Sequence, residues 1–348
     1  MKILVLNAGS SSLKYKLYNL DSMHSFASGV VEHIAEGGYA DAMMEVEQRL
    51  GEAGVASLRE LDAIGHRVVH GGEAFKQSVV IDEAVIETIA SLIPLAPLHN
   101  PANLEGIRIA QEHAPEVPQV AVFDTAFHQS IPAHAYRYAL PEETYSSMGV
   151  RRYGFHGTSH HFVAKEAAAT LGKRLEDTNL ITLHLGNGAS VCAVSAGQSV
   201  DTSMGFTPLE GLMMGTRSGD LDPAILFYLA REHGYSVDAL DTMLNKQSGL
   251  LGICGENDMR QIHTMIAEGS AEAKLAHTMF CYRIRKYIGA YVAVLGKVDA
   301  IVFTGGIGEN DAITRNAITE ALPFDIRVMT IATDEELEIA MQTMVLVG

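Results

Sequence analysis

A chain of 348 residues exceeds any peptide hormone or linker and, at roughly 150 residues per domain, has material for two domains with buried cores. Its 25 Lys and Arg stand against 42 Asp and Glu, a formal net charge of −17, so the outer field repels polyanions and argues against nucleic acid as a partner. Three cysteines, none in a C-x-x-C pair, support neither a disulfide framework nor a cysteine zinc site.

The N-terminal Met1-Lys2-Ile3-Leu4-Val5-Leu6 turns polar too soon for a signal peptide, and the most apolar internal run, Ile288 to Leu295, is too short to cross a bilayer. A cytoplasmic protein without membrane contact is expected. Ile3 to Leu6 ends in Asn7-Ala8-Gly9-Ser10-Ser11-Ser12, after which Leu13 to Tyr18 alternates with period two, which predicts two strands joined by a small-residue loop. Gln119 to Phe123 reads as a further strand, ending at Asp124. Leu180 to Leu185, the turn Gly186-Asn187-Gly188-Ala189-Ser190 and Val191 to Ser195 repeat the strand, turn, strand unit. Two structurally related domains follow, with a boundary near Met148 to Tyr153. Asp222-Pro223 predicts a helix start, with Ile225, Tyr228 and Leu229 on one face and Gly234 as the stop. The longest helix, from about Ala271 to Leu295, carries Leu275, Met279 and Tyr282 on one stripe and Ile284, Ile288 and Tyr291 on another, a pattern expected for burial on two sides. Val298 to Phe303 reads as a strand leading into the Gly-rich loop Thr304 to Asn310 and a helical pattern over 311–322. Glu32 to Glu60 and everything after Ala321 are the least readable segments.

Small residues let backbone N–H groups approach an anion, so the two hairpin loops, with Lys14 beside the first, are candidate phosphate cradles. Either loop taken singly reads better as an ordinary turn. The Thr304 to Asn310 loop has the strand-to-helix layout found where backbone meets a nucleotide, with a strained turn as the competing account. Basic and imidazole residues then fall among glycines at Gly65 to Gly72, at Leu98-His99-Asn100-Pro101, at Arg151 to His160 and at Met214 to Asp220. An arginine between glycines has little local packing to serve, and its guanidinium suits bidentate contact with phosphate or carboxylate. His156 and His160 have the spacing of a metal pair, but no third ligand lies nearby and zinc carries little weight. Asp124 would sit at a strand's C-terminal end, where sites in open α/β sheets gather, or else cap the next helix.

Read in order, Leu6 to Lys14, Gly65 to Gly72, Pro97 to Pro101, Phe123 to His128, Arg151 to His160, His184 to Ser190, Asp201 to Pro223 and Phe303 to Asn310 resemble the acetate kinases, members of the acetate and sugar kinase, Hsc70 and actin superfamily. The resemblance runs from residue 3 to about 340. It implies an α/β fold class with two ribonuclease-H-like domains, each a mixed sheet flanked by helices, and an active site in the interdomain cleft. The first domain would be residues 1–150 joined by 325–348, and the second, nucleotide-binding domain residues 151–324. The implied reaction is reversible, Mg²⁺-dependent phosphoryl transfer from ATP to acetate, giving acetyl phosphate and ADP, in a homodimer; Mn²⁺ is the alternative metal.

By the same resemblance, Asn7 and Glu335 would hold the metal directly or through water, with Lys14 and Ser10 to Ser12 near the transferred phosphoryl. Arg67 and Arg217 would bind the acyl carboxylate and phosphate oxygens, and His156 would stabilise the transition state. Asp124 would stand beside the acyl substrate as acid/base or metal-organising carboxylate, with His99 in support. Val69, Leu98, Phe155 and Pro208 would receive the acetate methyl. ATP would bind along His184, Leu185, Gly186, Asn187 and Gly188, along Asp258, Met259 and Arg260, and along Gly306, Ile307, Gly308, Glu309 and Asn310. Departures from the family pattern are Met259 where Phe is usual, shorter stretches before Arg67 and between Asn310 and Glu335, and the apolar tail Met344 to Gly348. Propionate or butyrate as acceptor, pyrophosphate as donor, and a nucleotide-dependent binding module are the competing readings. A pure nucleotide switch has no need of Arg67, His156 and Arg217 together.

Overall fold

An apolar run, a small-residue turn and an alternating run together close as a hairpin, and the chain begins that way. The computed structural model describes residues 1–9, 11–22, 24–35, 37–323 and 325–348. Lys2–Ala8 (β1) and Ser12–Asn19 (β2) pair antiparallel, from Lys2 opposite Asn19 to Ala8 opposite Leu13. His24–Glu32 (β3) extends this meander, while Ala63–Val68 (β4) lies parallel to β1 on its other side. Val79–Val80 (β5) pairs with Gln119–Phe123 (β6), itself parallel to β4, and the sheet order is β3-β2-β1-β4-β6-β5.

Side chains alternate across β1, so both of its faces are buried. Leu4, Leu6 and Ala8 join Val46 and Leu50 of the Tyr39–Glu52 helix and Ile109 of the Asn100–His113 helix. Ile3 and Val5 meet Ile339 and Ala340 of the C-terminal helix Glu335–Val347. A Cβ on Gly65 of β4 would stand 2.5 Å from Thr343 Oγ1 of that helix, so glycine sets how closely the two approach.

His66 lies buried in β4 with Nε2 2.7 Å from Gln119 Oε1, and burial pushes its imidazole down to about 4. An unfolded imidazole titrates near 6.5. Between those values the unfolded chain binds the additional proton, so stability present above pH 6.5 is lost as pH falls toward 4, by about 2 kcal/mol at pH 5 for this group. His66→Gln is expected to narrow the drop in urea midpoint between pH 7.5 and pH 5, leaving the share due to His70, likewise pushed down to about 4 by burial. An equal drop in parent and variant would place the acid sensitivity elsewhere.

Two compact units result: Met1–Gln129 with Gly157–Ser159 and Asp334–Gly348, and Ser130–His156 with His160–Thr333. The chain therefore leaves the first unit after Gln129, touches it again at Gly157–Ser159 and returns to it at Asp334. The reason lies in where the segment after Gln129 finds its partners. Ser130 Oγ donates to the Ser199 carbonyl at 2.8 Å, the Arg152 N–H to that of Tyr136 at 2.8 Å, and the Phe206 N–H to the Tyr138 hydroxyl at 2.9 Å, all within the second unit.

The second unit repeats the scheme of the first. Asn179–Leu185 (β7), Ala189–Ser195 (β8) and Gln198–Thr202 (β9) form an antiparallel meander. Ala300–Thr304 (β10) runs parallel to β7, and Val328–Thr330 (β11) parallel to β10, in the order β11-β10-β7-β8-β9. Ala271–Leu295 is the expected long helix, capped by Ser270 Oγ, which accepts the Ala273 N–H at 3.1 Å, and closed by Gly296 at φ +69°. Only one of its two stripes is buried: Ile284, Ile288 and Tyr291 are in the core, whereas Leu275, Met279 and Tyr282 are exposed. Periodicity marks an apolar face but not what covers it. The Ala224–His233 helix likewise starts and stops as expected, yet Ile225 and Tyr228 are exposed. The expected loop over Thr304 to Asn310 is instead a short helix, Gly305–Asn310, followed by Ala312–Thr319 with Asp311 as its cap.

Candidate active site

Asn7 near the end of β1, Arg67 near the end of β4 and Asp124 just after β6 stand on three neighbouring parallel strands. The parallel register delivers all three to the carboxyl edge of one sheet, where open α/β sheets place ligands. Arg67 Nε lies 3.1 Å from both carboxylate oxygens of Asp124, a second guanidinium nitrogen bonds Oδ2 at 2.5 Å, and the third donates to Asn7 Oδ1 at 3.3 Å. Burial works against the Arg67 charge, yet Asp124 and Glu335 together hold the guanidinium above its ordinary value. Asp124, itself buried, does not cap a helix; its carboxylate is committed to Arg67. Its carbonyl accepts the Gly157 N–H at 2.9 Å, and a Cβ on Gly157 would fall 2.2 Å from that oxygen, so only glycine fits.

Sequence reasoning missed what holds the loop after β4. Asn103 Oδ1 accepts the Val69 N–H at 3.0 Å while its Nδ2 donates to the Ala8 carbonyl at 2.7 Å, and Asn100 bonds the His70 N–H and carbonyl at 3.2 and 3.1 Å. The available signal was two asparagines three apart on a helix whose other buried residues are apolar. Val69 is buried, but Leu98 is 67% exposed, and His99 sits at the N-cap position of the Asn100–His113 helix without capping it.

Three successive acids open the C-terminal helix. Asp334 accepts from Lys16 Nζ and the Tyr18 hydroxyl, each at 2.8 Å, and Glu336 pairs with Lys14. Glu335 has electrostatic neighbours instead: burial pushes its carboxyl up to about 7, the pull of Arg67 being outweighed as Asp124 and Glu336 add repulsion. The Glu335 carboxylate and the Asn7 amide oxygen, both neighbours of Arg67, are oxygen donors of the kind that would suit Mg²⁺. Among the described residues no group of three or more His, Cys, Asp or Glu could hold a metal alone. Ser10 lies outside the described residues; beside it the Gly9 N–H donates to the Ser12 carbonyl at 2.8 Å and closes the turn.

The second unit gathers the other candidates around the β7 to β8 turn. His156 immediately precedes the Gly157–Thr170 helix with a left-handed backbone, φ +56°, and its ring stacks on His184 with centroids 4.2 Å apart. Ser190 Oγ lies 2.8 Å from both His156 Nδ1 and His160 Nε2, and His160 Nδ1 lies 2.8 Å from Thr182 Oγ1. The His156 and His160 spacing thus brings both rings to one hydroxyl. Arg217 donates to the Pro208 carbonyl at 3.2 Å, and burial pulls its pKa down. A Cβ on Gly188 would stand 3.6 Å from the Arg217 guanidinium and 3.7 Å from His156 Nε2, so the turn, the arginine and the imidazole converge. Phe155 is buried and Pro208 partly so.

A pocket of about 810 Å³ opens beside this turn, lined by Gly186, Asn187, Asp258, Met259, Arg260, Gly306, Ile307 and Asn310, and also by Asn257, His263, Asp311, Ala312 and Ile313. Its size is that of a small-molecule site. His263, with Nε2 2.7 Å from Asp311 Oδ2, lies one helical turn beyond Met259, a spacing that could have disclosed it. His184, Leu185, Gly188, Gly308 and Glu309 do not line this pocket. Glu309 Oε1 accepts the N–H groups of Gly305 and Thr333 at 2.9 and 3.1 Å and so ties backbone together.

The family model for the acetokinase family matches residues 2–55 and 38–345. An acetate kinase of Desulfotalea psychrophila is 49% identical over an alignment of 404 residues covering 100% of each chain. One of Sulfurovum sp. is 50% identical, covering 100% of this chain and 99% of the relative. Among solved structures, a propionate kinase from Francisella tularensis matches with a TM-score of 0.94 at 45% identity, covering 99% of each chain. Porphyromonas gingivalis acetate kinase matches with a TM-score of 0.94 at 42% identity, covering 100% of each.

Proposed function

The chain belongs to the acetokinase family, and on that premise we propose that it moves a phosphoryl group reversibly between ATP and acetate, forming acetyl phosphate and ADP. The observation that carries the reading is the convergence of Arg217 and His156 on Gly188, in the turn whose Gly186 and Asn187 line the pocket assigned to ATP. A carboxylate acceptor is ionised at neutral pH and needs no strong base. Transfer between two anions then depends on alignment and on neutralising charge. Arg217 and His156 supply donors at the phosphoryl end, and Ser190 fixes which way the His156 ring faces. Arg67, oriented by Asp124 and Asn7, supplies a planar fork for carboxylate or phosphate oxygens. Mg²⁺, held by Glu335 and Asn7, would neutralise phosphate charge when bound. Exposed Phe227, Tyr228, Leu275, Met279 and Tyr282 support the homodimer, since apolar side chains on helices of one unit are surface that a second copy would cover. No helix of the described residues is long and apolar enough to cross a membrane.

Trapping the acyl phosphate with hydroxylamine, with ATP and acetate, propionate or butyrate in turn, tests the reading. Hydroxamate from acetate is expected, and none from any acid would sink it. Propionate is the second reading, favoured by the match to the Francisella propionate kinase. Val69→Ala removes two methyl groups from the side chain proposed to meet the acyl methyl and so makes room for a longer acid, and one methylene is worth ~1–3 kcal/mol in such a site, so kcat/KM for propionate relative to acetate should rise roughly ten-fold. An unchanged ratio would put the methyl elsewhere.

A further inference from the structure

The loop that presents Arg217 leaves at Gly211 and returns at Asp220, and its ends are tied to each other. The Gly211 N–H donates to Asp220 Oδ1 at 2.8 Å, and the Asp220 N–H to the Gly211 carbonyl at 3.0 Å. The other carboxylate oxygen, Oδ2, accepts the Tyr287 hydroxyl at 2.8 Å and lies 3.2 Å from the Arg283 guanidinium, which also donates to the Asp220 carbonyl at 3.1 Å. Both partners stand on the Ala271–Leu295 helix, whose buried stripe fixes it in the core. Gly219, at φ +66°, passes so close that a Cβ there would lie 2.3 Å from the Leu212 carbonyl oxygen, which leaves the returning chain no slack. Backbone bonds from Ser218 to Leu244 and from Ser248 to Thr216, at 3.0 and 2.9 Å, steady the tip of the loop but not its ends. Asp220 is not among the residues lining the nucleotide pocket.

We propose that Asp220, braced by Tyr287 and Arg283, is a positioning residue for phosphoryl transfer that fixes the loop end from which Arg217 projects. The proposal rests on the role given above to Arg217. Charge-assisted hydrogen bonds hold the carboxylate from the helix side while its other oxygen holds Gly211. Removing the Tyr287 hydroxyl frees the carboxylate to turn, loosens the bracket, and lets the guanidinium leave the place where charge develops. Such a loss falls on kcat rather than on the ATP KM, because the pocket walls are made by other segments.

Tyr287→Phe, which keeps the ring packing, is expected to lower kcat about ten-fold with the ATP KM within about two-fold of the parent. Asp220→Ala should do at least as much, and Asp220→Asn, which retains an acceptor for the Gly211 N–H, should recover part of the rate. Amide hydrogen exchange over 211–220 should rise in Tyr287→Phe while that of β7 and β8 stays put. On an Arg217→Ala background, Tyr287→Phe should cost nothing further. Parent-like kcat in Tyr287→Phe, unchanged exchange over 211–220, or a full second loss on top of Arg217→Ala overturns the proposal. A parent-like rate in Arg217→Ala alone would remove the transfer role beneath it, an outcome told apart because the exchange data report the bracket independently of turnover.

Discussion

Arg217→Ala is expected to lower kcat for acetyl phosphate formation by at least ~100-fold, and Arg67→Ala by a similar factor, since a preorganised charge of this kind contributes ~3 kcal/mol to transfer between anions. The two variants differ in what they leave behind. Arg217 rests on the Pro208 carbonyl, so its removal strands no carboxylate and the melting temperature should hold. Arg67 is the partner of buried Asp124, and removing it leaves that carboxylate uncompensated, a cost on the order of 3 kcal/mol in stability. Arg67→Ala should therefore melt well below Arg217→Ala. Lysine at either position should rescue poorly, because a point charge cannot reproduce a planar fork. Steady-state kinetics with thermal melts check both; a lysine variant near the parental rate would show that bidentate contact is dispensable.

Glu335→Ala should raise the Mg²⁺ concentration for half-maximal rate at least ten-fold, with normal folding, whereas Glu336→Ala should do much less. The difference follows from partners. Glu336 is paired with Lys14 and Asp334 with Lys16 and Tyr18, which leaves Glu335 as the acid whose charge is least compensated. Titrating Mg²⁺ in the hydroxylamine assay decides it, and equal Mg²⁺ dependence in Glu335→Ala and the parent would retire the metal role.

The sites that sequence disclosed were those encoded locally. Arg67 and Arg217 stood out because glycines surround them, and the two hairpins because alternation and small-residue turns are short-range signals. What stayed hidden depends on distant partners. Which of three consecutive acids is left out of a direct lysine pair is decided by Lys14, Lys16 and Tyr18 on β2, at the other end of the chain. Ser190 looked like one more turn residue, and only the packing of the Gly157–Thr170 helix on β7 and β8 reveals it between two imidazoles. The stripe of Leu275, Met279 and Tyr282 shows the converse: its period is right and its burial is not, because amphipathicity is written in one helix and cover is supplied by another.

The left-handed backbone at His156 bears on how any substitution there is to be understood. Glycine and asparagine enter this region readily, whereas alanine and β-branched side chains resist it. An alanine scan would thus fuse two losses, the ring and the turn, and assign their sum to chemistry. Asparagine preserves the turn while discarding the imidazole, so the gap between parent and asparagine measures the ring, and the gap between asparagine and alanine measures the geometry that aims it.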